Sequence, residues 1–76
     1  MKKQNNMKAW IARDKEGLIS IFNVKPIKNK GLGYWHLSEI GWGDFCWGIN
    51  PKDIPNINPQ WEDDEPIEVE FKIEKI

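Results

Sequence analysis

The chain has one cysteine and one histidine in 76 residues. A lone cysteine forms no intramolecular disulfide, and one Cys with one His cannot complete a four-ligand zinc site. No apolar run approaches the ~18 residues of a membrane-crossing helix. The basic start, Met1-Lys2-Lys3, is not followed by the apolar core of a signal peptide. Nucleotide-binding loops are missing as well. Gly31-Leu32-Gly33 lacks the third glycine and the long helix of a dinucleotide fingerprint, and no Gly-Lys-Ser/Thr loop occurs. The expectation is a protein with no metal, no cofactor and no membrane contact, working in a reducing, cytoplasmic setting.

Aromatic residues take over the work that staples do elsewhere. Five Trp, three Phe and one Tyr accompany 39% hydrophobic and 30% charged residues, which argues for a folded domain. A chain this short has room for one small core. Residues 1–6 are polar and expected to be a flexible N-terminus, with 7–76 as a single small β domain.

The strongest local signal is Lys8-Ala9-Trp10-Ile11-Ala12-Arg13, then Asp14-Lys15-Glu16-Gly17, then Leu18-Ile19-Ser20-Ile21-Phe22. Two β-prone runs flank a turn that opens on Asp and closes on Gly, the pattern of a type I turn with a glycine bulge. Pairing Asp14 with Leu18 sets Ala12 opposite Ser20 and Trp10 opposite Phe22, with Arg13 opposite Ile19 and Ile11 opposite Ile21. Both faces of this hairpin then carry apolar pairs, so both need cover.

Residues 25–33 read as a loop. Tyr34-Trp35-His36-Leu37 and Phe45-Cys46-Trp47 read as short strands joined through a Gly-containing turn at 38–44 into one hairpin. Asn50-Pro51 opens at most one helical turn before Pro55. The prolines at 51, 55 and 59 make 50–60 a stiff extended crossing. Ile67-Glu68-Val69-Glu70-Phe71-Lys72-Ile73-Glu74 alternates strictly and reads as a strand with its apolar side inward. The fold class is therefore mainly β: a small antiparallel sheet or half-barrel of four or five strands with at most one short helical turn.

The net charge of −1 conceals a polarity. Residues 1–30 hold eight basic against two acidic side chains, a balance of +6, and residues 31–76 hold three against ten, a balance of −7. Either the two halves neutralise each other across the sheet, or the asymmetry marks a docking surface. Glu62-Asp63-Asp64-Glu65 is the densest charge run. It reads as a solvated loop or as an acidic epitope for a basic partner; calcium-loop spacing is absent. Lys8, Arg13, Lys25, Lys28 and Lys30 form the alternative, a basic set for phosphate contacts with RNA or DNA.

Trp10, Trp35, Trp47 and Trp61 lie in or beside expected strands and are expected in the core. Trp42 stands between Gly41 and Gly43 at a turn tip, where it either folds back as a lid or anchors a partner. The partner-binding set is thus Trp42, Glu62, Asp63, Asp64 and Glu65. Cys46, between two aromatics, is expected to be a small buried hydrophobe. His36 is expected to be structural or on the surface, since a catalytic set with Glu39 or Asp44 and Cys46 would sit on one hairpin without a cleft. No residue is assigned a catalytic role.

Two segments carry a resemblance. Lys8-Ala9-Trp10-Ile11-Ala12-Arg13-Asp14-Lys15-Glu16-Gly17 with Leu18 to Phe22 and Lys25-Pro26, and Pro55 through Trp61-Glu62-Asp63-Asp64-Glu65-Pro66 to Glu68-Val69-Glu70-Phe71, resemble the two ends of a group of small uncharacterised proteins. These occur in phages, prophages and mobile elements of Bacteroidota-type bacteria. Residues 29–49 depart from the group's pattern. The resemblance carries over no catalytic residue. It implies a non-enzymatic accessory protein acting in the bacterial host on a protein or ribonucleoprotein, in the manner of an inhibitor of RNA-guided CRISPR nucleases.

Overall fold

The computed structural model describes residues 6–37 and 43–72. Expectations about residues 1–5, 38–42 and 73–76, Trp42 among them, lie outside the described residues. The architecture is mainly β and antiparallel. Among the described residues the elements are strands β1 (Asn6–Arg13), β2 (Ile19–Phe22), β3 (Ile27–Asn29), β4 (Tyr34–His36), β5 (Cys46–Gly48) and β6 (Ile67–Lys72), with one 3-10 turn, Pro51–Asp53, between β5 and β6. A four-stranded sheet has the order β5-β2-β1-β6, and β3 and β4 make a separate two-stranded sheet.

The first hairpin takes the expected register, with Trp10 opposite Phe22, Ile11 opposite Ile21, Ala12 opposite Ser20 and Arg13 opposite Ile19. Its turn is closed by the Asp14 N–H donating to the Leu18 carbonyl at 2.8 Å and the Gly17 N–H donating to the Asp14 carbonyl at 2.9 Å. Gly17 has φ +99°, and a Cβ there would meet nothing within 4 Å. The position therefore calls for glycine because of its backbone conformation and not because of crowding.

Central placement explains the burial. β1 pairs with β2 on one side and with β6 on the other, so Ile11 lies between Ile21 and Ile67 and is almost wholly buried. Ala9 and Ile19 are buried on that same face. The opposite face carries Ala12 and Phe22, covered by Trp35 of β4 with Trp10, Leu37 and Trp61 packed around them. Both faces of the hairpin are covered, as the apolar pairs on each demanded. β6 alternates as read, with Ile67 and Val69 half-buried and Glu68 and Glu70 exposed.

Two connections differ from expectation. The stretch 25–33 is not all loop, because Ile27–Asn29 forms β3 and brings the strands among the described residues to six. A three-residue strand has no period to read; its pairing is set by β4, with Lys28 opposite Trp35. Nor do 34–37 and 45–47 form one hairpin. β4 pairs with β3, whereas β5 pairs with β2 in the other sheet, with Phe22 opposite Cys46 and Ile21 opposite Trp47. Asp14 makes this arrangement possible. Its Oδ1 accepts the backbone N–H of Trp35 at 3.0 Å, while the Arg13 carbonyl accepts the Trp35 indole N–H at 3.0 Å. These two bonds seat the small sheet on the end of β1.

Because β5 and β6 are opposite edges, residues 49–66 cross from one edge to the other. Asn50 caps the 3-10 turn by accepting the Lys52 N–H at 2.9 Å, with Pro51 in the first position. The rest of the crossing is irregular, and Pro59 is wholly buried in it.

Candidate functional site

The acidic run is divided by its surroundings. Asp63 is half-buried, and its Oδ2 accepts the Gln60 N–H at 3.0 Å while its own N–H donates to the Gln60 carbonyl at 3.1 Å. Its carboxylate closes a turn. Glu65 is exposed but meets Lys25 Nζ at 2.9 Å. Glu62 and Asp64 are exposed and carry the run's outward charge.

The basic set is divided too. Lys28 points inward from β3, its ammonium 4.3 Å from the centre of the Trp61 ring and 5.6 Å from that of Trp35. It donates to the carbonyls of Trp61 and Asp63. The two indoles meet edge to face, 6.5 Å apart at 82°, so Lys28 lies against a corner of two π-faces with two carbonyls completing its shell. Lys25 is paired with Glu65, and exposed Lys8 stands opposite Glu70 on β6. Arg13 is half-buried with a buried Nε that has no hydrogen-bond partner. Lys30 is exposed in the β3–β4 turn. The two ends of the charge polarity are thus brought against each other along β1–β6 and around residues 60–65, where Lys25 and Lys28 are engaged within the chain.

Two expectations about β5 are corrected. Trp47 is not core: 67% of it is exposed. Cys46 is not buried either; it is exposed, like every residue of the strand. The reason is position. β5 is the outermost strand, and Trp47 stands next to Ile21 with no described strand beyond it. The Phe45 and Trp47 rings lie 5.2 Å apart at an interplanar angle of 34°, so the pair presents one continuous aromatic surface. Asn23 holds the strand's entry, its Oδ1 accepting the Phe45 N–H at 2.8 Å and its amide donating to the Gly43 carbonyl at 2.6 Å. The signal available in the sequence was the brevity of this run: three residues closed by Gly48 leave no further alternation to bury.

His36 is half-buried on β4, with its Nδ1 3.1 Å from the Leu37 carbonyl and its ring edge-on to Tyr34. It and Cys46 belong to different sheets. Among the described residues no group of three or more His, Cys, Asp or Glu is arranged to hold a metal, and no helix is long and apolar enough to cross a membrane.

The class these observations define is a small antiparallel β protein with an aromatic edge strand and an internally tethered acidic turn. The chain matches no protein-family model, no curated protein and no solved structure.

Proposed function

We propose that the protein is a non-enzymatic phage or mobile-element accessory protein that binds a bacterial protein or ribonucleoprotein and inhibits it, an RNA-guided CRISPR nuclease being the leading target. The observation that carries the binding role is Trp47, two-thirds exposed and stacked on Phe45 along an edge strand. Tryptophan dominates binding hot spots because its large rigid surface releases much water for little lost side-chain entropy. An edge strand also offers backbone hydrogen bonds to an incoming strand. Glu62 and Asp64 supply exposed negative charge for steering toward a basic target. The choice of a bacterial target rests on the resemblance alone.

The nucleic-acid reading is the weaker of the two, because Lys28 and Lys25 already serve contacts within the chain. Pull-down from a nuclease-bearing host, followed by a DNA-cleavage assay with the purified nuclease, tests the proposal. The expected result is recovery of the nuclease and loss of cleavage, both weakened by Trp47→Ala. Recovery of no nuclease or defence component, or undiminished cleavage at saturating protein, overturns the proposal. A mobility shift with RNA or DNA at low salt that survives Trp47→Ala would favour the nucleic-acid reading instead.

A further inference from the structure

The hydrogen bonds that hold β5 on β2 also fix what its other side offers. The Phe45 carbonyl accepts from the Asn23 N–H at 3.3 Å, and the Ile49 N–H donates to the Ile19 carbonyl at 2.9 Å. In an antiparallel pair the inward and outward groups alternate by residue, so 45, 47 and 49 turn their backbone groups toward β2. Cys46 and Gly48 turn theirs outward, and among the described residues no strand pairs with that edge.

Protein edges of this kind are ordinarily blunted by charge or proline. β6, the other edge, follows that rule: Pro66 precedes it, and Glu68 and Glu70 stand exposed along it. β5 carries no charged residue and no proline, only Cys46, Trp47 and Gly48.

We propose that β5 pairs antiparallel with β5 of a second copy, about a twofold axis at Cys46. The sequence is self-complementary in that register. Cys46 faces Cys46 of the second copy and the two exchange both backbone hydrogen bonds. Phe45 of each copy faces Trp47 of the other, so two cross-strand aromatic pairs form on the face where these rings already touch. Asp44 falls opposite Gly48, so no like charges meet. The two four-stranded sheets then become one continuous sheet.

The contact is small. A strand of three residues with two aromatic side chains buries well under the ~800 Å² per partner of a stable complex, so the dimer is weak, with dissociation in the range of roughly 0.1–1 mM. Below that range the edge is free for another strand. This inference rests on the edge itself and not on any bacterial target; the two uses of the edge exclude one another.

Sedimentation of the full chain across that concentration range, with and without oxidised glutathione, tests the pairing. The expected result is a reversible monomer–dimer equilibrium. Oxidised glutathione converts the dimer to a Cys46–Cys46 disulfide: two thiols lose two protons and two electrons, and the glutathione disulfide becomes two thiols. Trp47→Lys is expected to raise the dissociation constant more than about tenfold with an unchanged far-UV spectrum. Cys46→Pro removes only an outward N–H and abolishes the dimer while leaving the β2 ladder intact. Cys46→Ser dimerises but does not crosslink. A wild-type chain that stays monomeric throughout overturns the inference. So does a dimer indifferent to both Trp47→Lys and Cys46→Pro, and so does one that never crosslinks through Cys46.

Discussion

The four carboxylates of residues 62–65 and the two rings of Phe45 and Trp47 exchange the roles that their chemistry suggests. Charged side chains belong in water, yet Asp63 closes a turn and Glu65 is matched by Lys25. Tryptophan belongs in a core, yet Trp47 stands in water. The difference between the regions is what lies next to each. The 60–65 turn is met by β3 and the residues leading into it, which bring Lys28 and Lys25 to it; among the described residues β5 has a neighbouring strand on one side only. Residue type sets the cost of exposure or burial, and topology decides whether a partner is present to offset it.

Five substitutions sharpen this contrast. Lys28→Met has the largest expected effect, because it removes two charged hydrogen bonds and two ring contacts from the joint between β3 and the acidic turn. The expected loss is about 2 kcal/mol, read by denaturant unfolding. A loss under about 0.5 kcal/mol would mean that the acidic turn is not tethered. Asp63→Ala takes away the acceptor of the Gln60 N–H and is expected to cost about 1 kcal/mol, whereas Asp64→Ala should fall within about ±0.5 kcal/mol. Equal effects of the two would restore the picture of one uniform acidic surface.

Trp47→Ser should move the unfolding midpoint little, by less than about 1 kcal/mol, since most of the ring never left water. A cost of several kcal/mol, of the kind expected for deleting a buried aromatic, would place Trp47 in the core after all. Lys25→Ala is the smallest. Its bridge to Glu65 joins two mostly exposed side chains, so less than about 0.5 kcal/mol is at stake, and that should vanish in high salt. A loss that persists in 1 M salt would give this pair a structural weight its exposure does not suggest.

Much of the frame was legible because it is local. The Asp14-Lys15-Glu16-Gly17 turn fixes the β1–β2 register through hydrogen bonds between residues three and four positions apart, and the alternation of β6 sorts Ile67 and Val69 from Glu68 and Glu70 with no knowledge of the neighbouring strand. Asn50 and Pro51 announce their single 3-10 turn in the same way. Less of the candidate site was legible. A run such as Phe45-Cys46-Trp47 looks alike at the centre of a sheet and at its edge, and three residues are too few to show a period. Lys28 likewise gives no sign in the chain that residues 61 and 63 will provide its carbonyls.

By itself, then, the order of residues determined that this is an antiparallel β protein opening on a tight hairpin. It also determined which face of β1, β2 and β6 each side chain takes, because turn geometry and a two-residue period act over a few positions. Only the tertiary structure decided that the β3–β4 hairpin is seated on Asp14, that basic and acidic halves meet around Lys28, and that among the described residues β5 ends the sheet with Trp47 outside. Those outcomes depend on contacts between residues twenty or more positions apart, such as Lys28 with Asp63. Long-range pairing is chosen by competition among all the strands for partners, which no single segment encodes.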